Sequence, residues 1–181
     1  MARVGNAGMA HRNIHYEAAF EDYLRARGLP YVAVDEAKKS AFRGVSLKNF
    51  DFLVYSSTGA NLLADVKGRK FPDSAGQRRK GSPRAWENWI TREDVDGMLE
   101  WEKVFGPDFS ATLIFAYWLQ GPPQRAPFED VYLFRKKYYA FMAVSLRNYI
   151  QCAKPRSAKW QTLSMPTAQF IDSAKDLALF L

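Results

Sequence analysis

The sequence predicts an α/β fold, in which helices cover a β-sheet. Three observations support this prediction. Residues 14–25 repeat apolar side chains with a helical period, and residues 50–67 have the pattern of a β-hairpin. Residues 111–119 form an apolar run with the length and residue types of a buried central strand. Helical and strand patterns therefore follow one another along the chain.

Length and composition indicate one globular domain. The chain has 181 residues, of which 48% are hydrophobic and 25% charged. We expect a flexible arm over residues 1–12 and a single domain over residues 13–181. A single cysteine, Cys152, excludes an internal disulfide framework and a cysteine-rich zinc site. No apolar run approaches the ~20 residues of a membrane span, and the N-terminus lacks the apolar core of a signal peptide, so we expect a cytoplasmic protein.

The first predicted helix starts at Asn13, a fair N-cap, and ends at Gly28. Its apolar stripe contains Tyr16, Phe20, Tyr23 and Leu24. Glu17 borders that stripe instead of pointing fully to water, and two reasons remain open. One reason is that a negative charge near the helix N-terminus stabilises the helix. The other is that the Glu17 carboxylate reaches the acidic groups on the sheet.

The hairpin is the most informative stretch of the sequence. Two apolar runs, 50–55 and 61–67, flank a Ser/Thr/Gly cluster. If Tyr55 pairs with Asn61, Asp51 falls opposite Asp65, with Cβ atoms only ~5 Å apart, and two like charges so placed repel. A divalent cation between them would turn that repulsion into a binding site. Lys67 would lie beside the cation on the same face.

The remaining elements are predicted from shorter signals. Thr91 and Asp94 have the spacing of a capping box, and the helix they open runs to about Phe105 before Gly106. Short strands are expected at residues 31–34, 131–134 and 160–164, and a terminal helix after Pro166. Residues 139–150 fit a helix or a strand equally well.

Positive charge is concentrated after the hairpin. The chain has a net charge of +7, and the segment from Lys67 to Arg84 carries most of it. Gly68 to Arg84 is predicted to be a basic loop because Gly and Pro residues oppose regular structure there. We expect it to contact a polyanion through Arg69, Lys70, Arg78, Arg79, Lys80 and Arg84. The alternative is a solvated loop without a partner.

The order of elements and acids resembles the restriction-endonuclease-like core of the PD-(D/E)XK nuclease superfamily. That family has an acid on its first helix, an Asp on the second strand and an acid-x-Lys triplet on the third. Glu17, Asp51 and Asp65-Val66-Lys67 occupy those places in order, over residues 13–117. A second triplet, Glu36-Ala37-Lys38, has no preceding strand that carries an acid, and Phe50 stands where the family often has Pro. Spacing and size look most like the archaeal-type Holliday junction resolvases.

The resemblance implies a central mixed β-sheet flanked by α-helices and Mg²⁺-dependent hydrolysis of DNA phosphodiester bonds that leaves a 5′-phosphate. Asp51, Asp65, the main-chain carbonyl of Val66 and Glu17 would hold Mg²⁺ or Mn²⁺. Lys67 would orient or deprotonate the attacking water, or neutralise developing charge. Duplex or branched DNA would be the partner, in recombination or repair, and a resolvase would be a homodimer because it cuts two strands symmetrically.

Two alternatives remain open at this point. The same fold can serve as a non-catalytic nucleic-acid-binding module, with Asp51, Asp65 and Lys67 as a buried ion pair. It can also be a restriction-type endonuclease, which differs from a resolvase only in its substrate. Divalent-metal binding separates the enzyme from the binding module.

Overall fold

The computed structural model describes residues 7–34, 48–57, 59–73 and 86–181, with side chains of the first helix described from His15 onward. The helices are α1 (Ala7–Ala26), α2 (Arg92–Phe105), α3 (Leu146–Cys152) and α4 (Thr167–Ser173). The strands are β1 (Tyr31–Ala33), β2 (Phe52–Val54), β3 (Asn61–Phe71), β4 (Ile90–Thr91), β5 (Phe109–Leu119), β6 (Tyr132–Phe134), β7 (Lys137–Ser145), β8 (Lys154–Ser157), β9 (Thr162–Ser164) and β10 (Lys175–Asp176).

A mixed sheet forms the centre of the fold. Its described strands lie in the order β1-β2-β3-β5-β7-β10, and β6 also pairs with β7. The long central strands β3 and β5 run parallel, whereas β2 and β7 are antiparallel to them. Strands β4, β9 and β8 form a separate small sheet. The predicted α/β fold with a mixed central sheet is confirmed.

Helices cover both faces of the central sheet. Helix α1 buries Tyr16, Phe20 and Leu24 against one face, in a cluster that includes Phe52 and Val66. Helices α2, α3 and α4 pack on the other face, in a second cluster that contains Met98, Leu146, Tyr149, Phe170 and Leu63. Successive side chains of β3 point to opposite faces of the sheet, so the strand contributes alternate residues to the two clusters. None of the described helices combines the length and apolarity that a membrane crossing requires.

Helix α1 begins at Ala7, six residues before the predicted cap Asn13, so the part of the predicted arm from Ala7 onward is helical. Residues 1–6 lie outside the described residues. Helix α2 has the predicted boundaries. Thr91 accepts a hydrogen bond from the main-chain N–H of Asp94, the Asp94 carboxylate accepts one from the N–H of Thr91, and Gly106 caps the end with φ 85°.

Strand β3 is longer than predicted and continues through Phe71, so Gly68, Arg69 and Lys70 belong to the strand and the prediction of a loop from Gly68 is wrong there. The glycine suits the strand because a Cβ at Gly68 would lie 2.1 Å from Cδ2 of Tyr16. The Tyr16 ring of α1 thus packs directly on the backbone of β3.

The ambiguous residues 139–150 are a strand followed by a helix, since β7 gives way to α3 at Ser145, which caps the helix.

Candidate active site

The hairpin has the predicted register. Phe52 pairs with Ala64, Leu53 with Leu63 and Val54 with Leu62, which places Asp51, just before β2, level with Asp65 on β3. The main-chain N–H of Asp51 donates to the carbonyl of Ala64 at 2.8 Å, so the chain is held against β3 at this point.

Strict alternation along β2 would place Phe50 on one face with Phe52 and Val54, but the structure does not. The chain bends at Asp51, and Phe50 packs instead on α2, with its ring centroid 5.7 Å from those of Trp101 and Phe105.

Asp51 is held in place by the middle residue of the acid-x-Lys triplet. Its Oδ2 accepts a hydrogen bond from the main-chain N–H of Val66 at 2.7 Å. Burial, the charge of Asp65 and, to a smaller degree, the charge of Glu17 raise the pKa of Asp51 to about 8, although the Val66 hydrogen bond and Lys67 act in the opposite direction. The repulsion expected between the two facing acids is therefore present, and the neighbouring donors do not offset it fully.

Lys67 lies between two carboxylates. Its Nζ is 2.9 Å from Oδ1 and 2.6 Å from Oδ2 of Asp65, and 3.1 Å from Oδ1 of Asp94. Burial of the ammonium opposes its charge, but Asp65 and Asp94 outweigh that effect and hold the pKa of Lys67 above its ordinary value. Lys67 is therefore a fixed cation in this arrangement.

Asp94 is the site residue that the sequence reasoning missed. Its carboxylate serves as the capping acid of α2, the residue is only 3% exposed, and its Oδ1 lies 2.5 Å from Nζ of Lys48 as well as close to Lys67. Burial works against its charge, but Lys67, Lys48 and the Thr91 hydrogen bonds lower the pKa of Asp94 below its ordinary range. The capping-box spacing was the available signal, yet it gives no indication that the carboxylate also reaches β3.

Glu17 lies on α1, one residue after the tyrosine that packs on Gly68. It is close enough to act electrostatically on Asp51. Within the described ranges, no three His, Cys, Asp or Glu side chains lie together closely enough to form a metal cluster, so Glu17 stands apart from the Asp51–Asp65 pair. The structure thus brings Asp51, Asp65, Val66 and Lys67 together and places Glu17 at their border.

The two described members of the predicted basic loop have different surroundings. Arg69 is largely buried, donates to the carbonyls of Gly68 and Trp89, and stacks with its guanidinium carbon 4.2 Å from the Trp89 ring centroid, so burial lowers its pKa. The Arg69 guanidinium is therefore held by contacts within the protein, and its predicted role in DNA binding stays a prediction. Lys70 is exposed, with Nζ 5.3 Å from the Trp118 ring centroid. The predicted contacts Arg78, Arg79, Lys80 and Arg84, and the triplet Glu36-Ala37-Lys38, lie outside the described residues.

The donor atoms of this site suit a hard divalent cation. Asp51 and Asp65 supply carboxylate oxygens side by side, and Oδ2 of Asp65 is buried with the Lys67 ammonium as its close neighbour. A cation would remove the repulsion that raises the pKa of Asp51. Lys67 would keep Asp94 as an anionic partner while Asp65 turned to the cation.

Comparison with known proteins gives a match in structure alone. The sequence matches no protein-family profile and no curated protein. The structure is similar to that of Archaeoglobus fulgidus Hjc, a Holliday junction resolvase from an archaeal hyperthermophile, with a TM-score of 0.51 and 14% identity. The similarity covers 92% of this chain and 98% of Hjc. This chain therefore has the predicted restriction-endonuclease-like fold, which it shares with this resolvase.

Proposed function

We propose that this protein is a divalent-metal-dependent endonuclease that hydrolyses phosphodiester bonds in DNA. One observation carries the proposal. Asp51 and Asp65 lie level on neighbouring strands, with Lys67 on the same stretch of β3 and a raised pKa at Asp51. Paired acids with a perturbed pKa and a nearby cation are characteristic of functional sites. The shared fold with Hjc makes nuclease chemistry the first choice for this arrangement.

Asp51, Asp65 and the main-chain carbonyl of Val66 would hold Mg²⁺ or Mn²⁺, with Glu17 holding a metal-bound water or a second cation. When bound, such an ion supplies Lewis acidity to the scissile phosphate and to the attacking water. The hydrogen bond from Val66 N–H fixes the orientation of the Asp51 carboxylate before any ligand arrives. Both strands therefore present their oxygens without a large rearrangement of the backbone.

Lys67 has a narrower role than the resemblance allows. Because Asp65 and Asp94 keep its ammonium protonated, we infer that Lys67 donates hydrogen bonds and positive charge to the phosphate. Removing a proton from water would require a neutral amine, which these two carboxylates oppose. Asp94 is a positioning residue in this scheme, since it fixes Lys67 from the side of α2.

Branched DNA is the proposed substrate, and the cytoplasm the proposed compartment. The likeness in fold to a Holliday junction resolvase supports a structure-specific enzyme over a restriction-type enzyme with a sequence target. Symmetric cleavage of a four-way junction requires two active sites related by a two-fold axis, so we expect a homodimer. A monomer in solution would count against the resolvase and leave the nuclease in place.

A non-catalytic DNA-binding module is the second candidate, and a specific observation favours it. Lys67 already neutralises Asp65 without a metal ion, with its Nζ 2.6 Å from Oδ2. Asp94 and Lys48 extend this into a chain of alternating charges. Such a network can serve structure alone. The binding module does not explain Asp51, because this network of ion pairs includes Asp65 and Asp94 but not the Asp51 carboxylate.

The test is cleavage of end-labelled DNA. Linear duplex, single strands and a four-way junction are incubated with Mg²⁺, Mn²⁺ or EDTA. The wild type is compared with Asp65→Asn and Lys67→Ala, and with Asp96→Asn and Lys103→Ala as matched controls on the exposed side of α2. We expect metal-dependent cleavage by the wild type and both controls, and none by the two site variants.

Each result decides between the candidates. Preference for the junction would identify the resolvase, and equal cleavage of linear duplex would identify a general nuclease. If no DNA is cut while the wild type and both site variants bind the junction or duplex equally well, the catalytic proposal fails and the binding module becomes the better account.

A further inference from the structure

Basic side chains from β3, from β7 and from the turn between β6 and β7 meet at the end of the central sheet where β3 and β5 finish. We call Lys70, Trp118, Arg135, Lys136 and Lys137 the sheet-end surface. Lys70 pairs with Trp118 across β3 and β5, and Lys137 begins the neighbouring strand β7. The Nζ atoms of Lys137 and Lys70 lie 4.2 Å and 5.3 Å from the centroid of the Trp118 ring. Two like charges thus share one aromatic ring.

The turn between β6 and β7 holds two of these cations in an unfavourable backbone conformation. Phe134 pairs with Lys137, so the turn has only two residues, Arg135 and Lys136, and both have positive φ, 46° and 63°. This geometry is that of a type I′ turn, which strongly prefers Asn-Gly. Side chains with a Cβ seldom adopt this conformation, and exposed basic residues occupy both positions here.

The cations of the turn lie in a stretch of the sequence that lacks acidic residues. No Asp or Glu occurs between positions 131 and 171, a stretch that contains seven Lys and Arg residues. Among the described residues, no salt bridge joins Lys70, Arg135, Lys136 or Lys137 to a carboxylate. A cluster of such cations at one edge produces a positive potential that attracts a polyanion.

We propose that the sheet-end surface binds the phosphate backbone of a nucleic-acid duplex. The two ammonium groups cover the Trp118 ring, so the surface offers cations instead of an open aromatic face for an unpaired base. Lys70 lies three residues beyond Lys67 on β3, roughly 10 Å along the strand, and its side chain points to the α1 face, opposite to that of Lys67. This inference rests on the proposed nuclease function, because the bound duplex would have to continue past the end of the sheet to reach the candidate active site on the other face.

The turn allows a test that removes charge without weakening the fold. The double variant Arg135→Asn and Lys136→Gly installs the preferred type I′ residues, so its thermal midpoint should equal or exceed that of the wild type. Binding of a short fluorescent duplex is measured by anisotropy in EDTA over a range of salt concentrations. Loss of two phosphate contacts should lower the slope of log affinity against log salt by about 2, and weaken binding about 10- to 100-fold at ~0.1 M salt. Lys103→Gln with Lys175→Gln, which loses the same charge elsewhere on the surface, is the control.

The outcomes separate this inference from the proposed function. The sheet-end surface is not a backbone site if the turn variant binds duplex with unchanged affinity and salt slope, or if the control variant loses as much affinity as the turn variant. This conclusion would hold even if the wild type cleaves DNA. If the turn variant alone loses affinity while the wild type cleaves nothing with Mg²⁺ or Mn²⁺, the surface stands and the nuclease proposal fails. A wild type that binds no nucleic acid would overturn both.

Discussion

Replacement of Asp51 by asparagine should stabilise the metal-free protein at alkaline pH, although it removes a residue proposed to be essential. Burial and the charges of Asp65 and Glu17 raise the pKa of Asp51 to about 8, against an ordinary value of 3.8. The folded state therefore holds a proton that the unfolded chain has already released. Stability that this carboxyl contributes is fully present below about pH 4 and is lost as the pH rises through about 8.

The magnitude follows from the pKa. For a folded pKa of about 8, ionisation of this single group lowers the free energy of unfolding by about 1.4 kcal/mol between pH 7 and pH 9. In a chain of this size, that loss corresponds to a fall in thermal midpoint of about 3–6 °C. Asparagine does not titrate, and its amide oxygen can still accept the hydrogen bond from Val66 N–H. The Asp51→Asn variant should therefore lack this part of the pH dependence.

The assay is thermal unfolding followed by circular dichroism in EDTA at about pH 7, 8 and 9. The quantity of interest is the difference in midpoint between wild type and Asp51→Asn, because other titrating groups contribute equally to both. Asp96→Asn, at an exposed position of α2, should follow the wild type at every pH. Parallel pH profiles for the wild type and Asp51→Asn would refute the reasoning, since they would mean that the pKa of Asp51 is not raised into this pH range.

The same proteins should differ in their response to metal. A cation that binds only the folded state raises its stability, by about 2.7 kcal/mol at a hundred times its dissociation constant. At about pH 8, Mg²⁺ should therefore raise the thermal midpoint of the wild type and leave that of Asp51→Asn nearly unchanged. Equal shifts in both proteins would place the metal somewhere other than beside Asp51.

Three further predictions concern the surroundings of the site. Gly68→Ala should destabilise the protein by about 1–3 kcal/mol in urea unfolding, because its Cβ would lie 2.1 Å from the Tyr16 ring, whereas Gly59→Ala, with 3.9 Å to the nearest atom, should change little. Asp94→Asn should cost about 3–5 kcal/mol, since it leaves the buried ammonium of Lys67 with one carboxylate, and the added change Lys67→Met should recover part of that loss. The cleavage rate should not increase as the pH passes about 10, because Asp65 and Asp94 hold the pKa of Lys67 high; a rise there would indicate a lysine base.

Local patterns were enough to predict the hairpin and its register. The length of the Ser/Thr/Gly loop determines which residues face each other, and the pairing of Phe52 with Ala64 follows from it. The cap of α2 was predictable for the same reason, since Thr91 and Asp94 are three residues apart. The contact between Asp94 and Lys67 was not predictable, because it depends on how α2 packs on β3 in the folded chain.

The end of β3 was misjudged because Gly68 has the composition of a loop. Gly68 is needed because the Tyr16 ring packs directly on its backbone. Tyr16 belongs to a helix some fifty residues earlier in the chain, so no local pattern reveals this contact. The basic character of the β6–β7 turn, by contrast, is a property of the sequence itself. Residues 131–171 contain no acid, so the cations at positions 135–137 have no oppositely charged neighbour along the chain.

The parallel pairing of β3 with β5 has a consequence for how the protein folds. Eleven successive residue pairs join these strands, and the partners in each pair are 48 positions apart, as with Asp65 and Leu113. Closing a loop of that length costs about 3.4 kcal/mol of chain entropy before any of these contacts forms. Folding should therefore be slow for a chain of this size. The pairing of β5 with β3, the strand that carries Asp65, should form late. On the ribosome, a nascent chain that ends before Phe109 contains the hairpin but lacks β5, the strand that pairs with β3 at Asp65 and Lys67.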